Sequence, residues 1–441
     1  MKTQFFFLAV LLLLLASCTE ASFEDTSKAS PSWKGYSEAI TKAASECLSH
    51  GVSDSDAIDY LHYRKAIDSA DIKDVSRYSI DDSNYVFIVH LNDDHWFLLS
   101  GDYSSTPILA EGGEGFNLQD KPSKHAEAWL QSIASYMTEN RSGRTQDVEI
   151  NKAEWIHSKT VAEKARDKEK RINRDDPDTS DVIIEVDSEW LIDEYYPALT
   201  ETRWDQGYPF NLSLPLYPPY GTIDRCVAGC AVTAIAQLLY YTHFAFGYPN
   251  DVYAEASCSQ HYDASGTPPY SYTFSSPSTT SWNLMGLTSQ ANYNSTYVPA
   301  LYAMIASSSN TNYHDGEGST SPSTICPTLA NFMLTGASPE DYNKSDVIDE
   351  IEDDRPVLCS GGDSYYTTIG HIFLIDGYEW QKIRETETIK DLDGNILEIN
   401  VTIHDYFRWH INTGDPYVGY HIWSYENAYY QYNRKIYIGW S

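Results

Sequence analysis

The segment at residues 226–241, CVAGCAVTAIAQLLYY, constrains the fold of this chain more than any other. Beyond Cys230 the apolar residues recur with the i, i+3, i+4, i+7, i+8 spacing of a helix with one buried face. These positions are Ala231, Ala234, Ile235, Leu238 and Leu239. Gly229 precedes the pattern, so Cys230 is predicted to lie at the helix N-terminus.

A helix N-terminus is a favourable place for a reactive thiol. The helix dipole and the free backbone N–H groups stabilise a thiolate, so we expect the pKa of Cys230 to be lowered. The same N–H groups can bind an oxyanion, and the pattern therefore favours acyl transfer by a cysteine nucleophile. The alternative is a structural cysteine in a buried helix.

A thiolate nucleophile needs an imidazole partner, and His371 has the most suitable context. It opens the apolar run HIFLIDGY, which predicts a central strand with His371 at its start. An orienting group for the imidazole should follow, and Asn412 in YFRWHIN is the candidate. We therefore predict a Cys-His-Asn site.

Three motifs resemble those of the streptopain family of papain-like cysteine peptidases. They are WDQGYPFN at residues 204–211, AGCAVTAIAQLLYY at residues 228–241 and GHIFLIDGY at residues 370–378. The resemblance implies an α+β, papain-like fold, with a helical part and an antiparallel β part, preceded by an α+β prodomain. Residues 95–116 resemble that prodomain.

The resemblance also implies a role for each candidate residue. Cys230 matches the nucleophile, His371 the general base and acid, and Asn412 the asparagine that orients the imidazole. Gln206 matches the glutamine whose amide helps to form the oxyanion hole, where one donor contributes roughly 3 kcal/mol. We expect proteins or peptides as substrates, and neither a cofactor nor a metal.

The sequence departs from the family pattern after Asn412. The family continues with Trp-Gly-Trp-Gly, whereas this chain has TGDP at residues 413–416. Trp409 and Trp423 are the candidates to replace the missing aromatic cover beside the imidazole. The departure motivates an alternative function, a catalytically weakened or silent surface protein for binding or adhesion. Amidase or transglutaminase chemistry is the third candidate function, because these reactions use the same triad.

The N-terminus predicts export with lipid attachment. An apolar run from Phe5 to Ala16 follows Lys2 and is shorter than the ~20 residues that a membrane span needs. LASC at residues 15–18 resembles a bacterial lipobox, which implies cleavage before Cys18 and lipid attachment to its sulfur. Plain signal cleavage is the alternative. We expect a lipoprotein of the outer membrane, cell surface or periplasm, bound to the membrane by lipid alone.

Composition and the family resemblance together imply four parts: a signal peptide at 1–17, a polar tether at 18–33, an inhibitory propeptide at 34–175 and a peptidase domain at 182–441. Between the last two, a basic segment at 159–174 precedes the acidic turn DDPD. This pattern predicts an exposed linker, although a solvated helix explains its first half equally well. We expect the propeptide to inhibit the enzyme until cleavage within residues 165–185.

Charge and motif content exclude several functions. The net charge is -33, which disfavours nucleic-acid binding. The chain has no C-x-x-C, no HExxH and no His-rich tract, so no zinc site is predicted. The stretch DLDGN at residues 391–395 resembles a calcium loop but lacks the required glutamate, and is predicted to be a hairpin turn.

Overall fold

The structure is a computed structural model. It describes residues 51–113, 116, 118, 123–143, 148–172, 183–217, 224–248, 256–259, 271–274, 282–292, 296–314, 316–363, 370–391 and 393–441. The predictions for the signal peptide, the tether and Cys18 lie outside the described residues. Within these ranges no helix is both long enough and apolar enough to cross a bilayer.

Residues 51–172 form an N-terminal unit of three helices and four strands. Its elements are α1 Asp54–Lys65, β1 Ile72–Ser79, β2 Tyr85–Leu91, β3 Trp96–Ser100, β4 Ile108–Gly112, α2 Lys124–Arg141 and α3 Val148–Ile172. The apolar runs at 85–91 and 96–100 form β2 and β3, as their content of β-branched and aromatic residues favours. The basic segment up to Ile172 is helical, so the helix alternative is correct for this half of the predicted linker.

The C-terminal unit, from residue 183 to the end, contains the remaining elements. They are β5 Ile183–Tyr196, β6 Leu216–Tyr217, β7 Asp224–Arg225, α4 Cys230–Phe246, β8 Ala256–Ser259, β9 Ser271–Phe274, α5 Ser289–Asn292, α6 Tyr297–Ser308, β10 Asn312–His314, β11 Glu317–Ser319, a 3-10 helix Pro322–Thr324, α7 Ile325–Asn331, β12 Ser338–Asp341, α8 Lys344–Glu352, β13 Val357–Gly362, β14 Gly370–Lys390, β15 Ile396–Asn412, β16 His421–Tyr425 and β17 Tyr432–Ile438. The DLDGN turn joins β14 to β15, as predicted.

One antiparallel sheet runs through both units. Its strand order is β1-β2-β3-β4-β16-β15-β14-β13-β17-β12, and β5 pairs with the outer part of β14. The units meet where β4 pairs with β16, with Gly112 opposite Ile422 and Ala110 opposite Ser424. The N-terminal unit is therefore attached by backbone pairing as well as by side chains.

The sheet separates two hydrophobic cores around β14. Helix α4 packs into the first core with Ile372 and Leu374 of β14, and the five predicted stripe positions of α4 are all buried. The second core holds Phe373 and Ile375 together with Trp129 of α2. Alternate residues of β14 thus contribute to different cores, as the two-residue period of a strand requires. The α+β prediction is confirmed.

Candidate active site

The helix that carries Cys230 begins at that residue, as predicted. Gly229 precedes it with φ +89°, a conformation that side chains with a Cβ rarely adopt. A Cβ there would also lie 2.5 Å from the carbonyl oxygen of Gly318. Only glycine fits both requirements, so the backbone places the thiol at the first position of α4.

The sulfur of Cys230 lies beside the start of β14. Its Sγ accepts a hydrogen bond from the backbone N–H of Ile372 at 3.4 Å. Burial raises the pKa of the thiol above its ordinary value, and the backbone N–H groups of Ile372 and Ala231 oppose this shift only in part. The predicted lowering of the pKa is therefore wrong for this form of the chain, because desolvation outweighs the helix terminus.

Cys359 is a useful comparison within the same sheet. It lies on β13, is fully buried, and burial raises its pKa to about 12. Cys230 is only half-buried and receives backbone N–H groups that favour the thiolate. Of these two thiols, Cys230 is the one suited to nucleophilic attack.

His371 is the second residue of β14 and is 1% exposed. Its ring lies 4.9 Å from that of Tyr430, 6.0 Å from that of Phe373 and 6.1 Å from that of Tyr429, measured between ring centroids. These three rings belong to the second core, whereas Cys230 packs against the first. The structure brings the start of β14 to the sulfur but packs the imidazole among aromatic rings.

The aromatic cover beside His371 comes from Tyr429 and Tyr430. Trp409 and Trp423 were the candidates for this cover, but their described contacts are with other residues. Trp409 donates its indole N–H to the hydroxyl of Tyr342 at 2.9 Å, and the ring of Trp423 lies 5.0 Å from that of His410. Sequence reasoning missed these tyrosines, although the adjacent pair in ENAYYQY was a visible signal.

Gln206 lies in a loop that is attached to the residues before Cys230. Its backbone carbonyl accepts the N–H of Ala228 at 2.8 Å. The neighbouring Asp205 accepts the backbone N–H of Gly207 at 2.6 Å and the hydroxyl of Tyr420 at 3.0 Å. Burial raises the pKa of Asp205 to about 6. Asp205 therefore positions the Gln206 loop, a role that sequence reasoning did not assign.

Asn412 is fully buried at the end of β15, and its amide has three partners. Its Oδ1 accepts from Nε2 of Gln237 at 2.8 Å, while its Nδ2 donates to Oγ1 of Thr200 at 3.0 Å and to the carbonyl of Thr202 at 2.9 Å. Its cross-strand neighbour is Leu374. In this form Asn412 joins α4 to the segment before Trp204, and its role in orienting the imidazole stays a prediction.

Comparison with known proteins shows a family that part of the chain resembles. Residues 204–392 match the family model described as the Peptidase C10 family, which is the streptopain family. Over this segment the chain is similar to the cysteine peptidases of that family. The matched range contains Gln206, Cys230 and His371, whereas Asn412 lies beyond it. A search of curated proteins finds no match.

Solved structures resemble the chain more widely. A fragment of Prevotella intermedia prointerpain A matches with a TM-score of 0.51 and 17% identity, covering 83% of this chain and 98% of its own. The active wild-type interpain A cysteine protease of that organism matches with a TM-score of 0.39 and 21% identity, covering 55% of this chain and 94% of its own. The first match shows that the streptopain-like fold extends across both units.

The N-terminal unit contacts the surroundings of His371 in the peptidase. Trp129 of α2 is fully buried and donates its indole N–H to the carbonyl of Ala428 at 2.9 Å. Its ring also lies 5.8 Å from that of Tyr429, one of the rings beside His371. One buried side chain of the N-terminal unit thus supports the aromatic cluster around the imidazole.

Proposed function

We propose that this chain is an exported, lipid-anchored cysteine endopeptidase made as a zymogen. Residues 34–175 are the propeptide, residues 182–441 the peptidase domain, and Cys18 carries the lipid at a bacterial envelope. The observation that supports this most strongly is the position of Cys230, at the first residue of α4 in a streptopain-family segment, with the N–H of Ile372 on its sulfur.

The proposed reaction is peptide hydrolysis through a thioester. His371 takes the thiol proton, the sulfur of Cys230 attacks the substrate carbonyl, and the imidazole then protonates the leaving amine. The side-chain amide of Gln206 and the backbone N–H of Cys230 stabilise the oxyanion of the tetrahedral intermediate. Water, deprotonated by His371, then hydrolyses the thioester and regenerates the thiol.

The proposed inhibition acts mainly on the imidazole. With the N-terminal unit in place, Trp129 supports Tyr429, and the ring of His371 packs with Tyr429 and Tyr430. Burial meanwhile favours the neutral thiol of Cys230. Removal of the propeptide would withdraw Trp129, which frees the imidazole to turn towards the sulfur and admits the substrate.

An ionic network supports the attachment of the propeptide. Glu111 of β4 is paired with Lys65 at 3.1 Å and with Arg408 of β15, and Arg408 is also paired with Glu379. Burial alone would raise the pKa of Glu111, but the two cations outweigh it and the pKa is lowered. The propeptide carboxylate is therefore charged and matched to a cation of the peptidase domain.

The relative with a pro-form supports a zymogen. Prointerpain A of Prevotella intermedia is described as a pro-protein, and its fragment matches most of this chain. In this chain β4 is paired with β16 of the peptidase domain, so the N-terminal unit must separate from that strand before it can leave. Both observations favour activation by removal of the unit.

The test is to incubate the purified full chain and to sequence the new N-termini. We expect cleavage within residues 165–185, hydrolysis of a fluorogenic peptide afterwards, and labelling of Cys230 by an epoxide inhibitor of cysteine peptidases. Cys230→Ala should remove all three. Cys326→Ala, which changes a half-buried thiol on α7, is the matched control and should remove none. Full activity of the uncut chain would contradict the zymogen proposal.

A silent binding protein is the second candidate. It is favoured by Asn412, whose amide is used by Gln237, Thr200 and Thr202 in this structure. If the epoxide labels Cys230 no faster than Cys326 after removal of the propeptide, the chain is a catalytically silent binding protein. If Cys230 is labelled but no peptide is cleaved, another cysteine acyl transfer is the better assignment.

A further inference from the structure

A second cluster of chemically active side chains lies where β14, β15 and β16 adjoin. Asp376, His410 and His421 each place one ligand atom within 4.8 Å of those of the other two. No other group of this kind occurs among the residues that the structure describes. The proposed peptidase reaction uses none of the three residues, so the cluster needs a separate explanation.

Asp376 fixes one of the two imidazoles. It is fully buried at an irregularity in the pairing of β14 with β15. Its Oδ1 lies 2.6 Å from Nδ1 of His410, while its Oδ2 accepts from the backbone N–H of Thr200 at 3.0 Å and from the hydroxyl of Thr200. With the proton on Nδ1, His410 donates to the carboxylate, and its Nε2 is left as a ligand atom.

This carboxylate–imidazole pair has the form that metal-binding histidines usually show. The carboxylate sets the tautomer and holds the orientation of the ring. Two bonds from Thr200 hold the carboxylate in turn. One ligand of the cluster is thus already oriented for a metal.

His421 supplies the second imidazole from the neighbouring strand. Its ring is nearly parallel to that of His410, with an interplanar angle of 24° and 5.3 Å between centroids. His410 is buried, whereas His421 is partly exposed and gives a cation access from solvent. Trp423 covers the other side of His410, at 5.0 Å between rings.

We propose that His410 and His421 bind one zinc ion, with Asp376 as the carboxylate that orients His410. Imidazole nitrogens favour zinc over magnesium and calcium, which prefer oxygen ligands. Two protein nitrogens leave the other positions to water, and Arg203 acts electrostatically on His421 and opposes a cation there. Both features limit the affinity. The proposal does not depend on peptidase activity.

No sequence motif indicates this site, and no zinc site was predicted. Motifs such as HExxH or C-x-x-C reveal ligands that are close in sequence. Here the three residues lie on three different strands, and only the pairing of β14, β15 and β16 brings them together.

The test is calorimetric titration of zinc into the full chain carrying Cys230→Ala, which removes a competing thiol and prevents self-cleavage. We expect one saturable site per chain and no binding of magnesium. His421→Phe, which keeps a ring beside His410, should weaken zinc binding at least about tenfold, the lower range for disturbing a metal site. The matched control is His243→Phe, whose imidazole stacks on Trp282 at 4.9 Å, and it should bind zinc unchanged.

Two results would overturn the proposal: no saturable zinc site, or the same affinity in His421→Phe as in its parent. If circular dichroism shows that His421→Phe does not fold, cobalt(II) titration of its Cys230→Ala parent decides. Ligand-field absorption that saturates at one equivalent, without a thiolate-to-cobalt charge-transfer band, supports the two-histidine site. Absence of these bands, or a strong thiolate band, overturns it.

Discussion

The two proposed catalytic side chains lie in unlike surroundings, although both lie near the start of β14. Cys230 is half-buried, and its position is set by its own helix and by Gly229. His371 is almost fully buried beside Tyr429 and Tyr430, and Trp129 of the N-terminal unit packs against Tyr429. The position of the proposed nucleophile is therefore set by local structure, whereas that of the proposed base depends on rings that contact the N-terminal unit.

The first prediction concerns the loss of each proposed catalytic side chain in turn, first Cys230 and then His371. After removal of the propeptide, Cys230→Ala and His371→Ala should each lower kcat/KM for peptide cleavage by at least about 10⁴-fold, because nucleophile and base act as one unit. The double variant should lose little more than either single variant. Losses that simply multiply in the double variant would contradict a shared mechanism.

The second prediction concerns the ring of Trp129, which packs against Tyr429 beside His371. Trp129→Ala deletes a fully buried ring and should cost about 3–5 kcal/mol in the packing of the N-terminal unit. We expect faster self-cleavage and activity of the still uncut chain, measured with a fluorogenic peptide. Trp190→Ala, at a tryptophan that is 52% exposed, is the control. Unchanged latency in Trp129→Ala would mean that the inhibition works elsewhere.

The third prediction concerns Gln206, which is proposed to bind the oxyanion together with the backbone N–H of Cys230. Gln206→Ala should lower kcat by about 10²–10³-fold, since an oxyanion donor acts mainly in the transition state, and KM should change little. Self-cleavage should slow in proportion, while the thermal stability of the uncut chain stays the same. Gln381→Ala on the outer part of β14 is the control. A rise in KM without a fall in kcat would assign Gln206 to substrate binding instead.

The fourth prediction concerns pH and the attachment of the N-terminal unit. The pKa of Glu111 in the folded chain is below its ordinary value of 4.5, because Arg408 and Lys65 outweigh the effect of burial. Its ionised form therefore stabilises the interface fully above about pH 4.5, and this contribution is lost as the pH falls through the lowered folded value. We expect latency to weaken below pH 4.5.

Glu111→Gln tests the same contact at neutral pH. The substitution should cost about 2 kcal/mol, typical of a hydrogen bond to a charged partner. Thermal unfolding followed over a range of pH measures the loss, and the variant should show a smaller dependence on acid than the parent. The same acid dependence in both would place the titrating group elsewhere.

Local sequence patterns predicted the parts of the fold that local forces determine. The apolar spacing after Cys230 predicted α4 and its N-terminus, and the apolar run from Tyr85 to Leu91 coincides with β2. The strand-like segments ILEINVTI and YFRWHIN belong to one strand, β15. His404 and Asp405 continue the pairing between them, opposite Ile383 and Lys382 of β14. A polar pair did not end this strand because the neighbouring strand continues beside it.

The parts that sequence did not reveal depend on contacts between distant segments. The rings beside His371, the partners of Asn412 and the cluster of Asp376 with two histidines each join segments that are distant in sequence. The pKa of Cys230 also depends on distant segments, because the burial they cause outweighs the local effect of the helix terminus. A local pattern predicted the position of Cys230 at the start of α4, but the tertiary structure determines its ionisation.

The most direct test of the central claim is the pH dependence of Cys230 alkylation, mapped by mass spectrometry in the uncut and the processed chain. If the N-terminal unit holds His371 away from the thiol, the processed chain should alkylate at acidic pH in a His371-dependent manner. The uncut chain should then react only at alkaline pH. Equal alkylation of both forms at every pH would contradict the account.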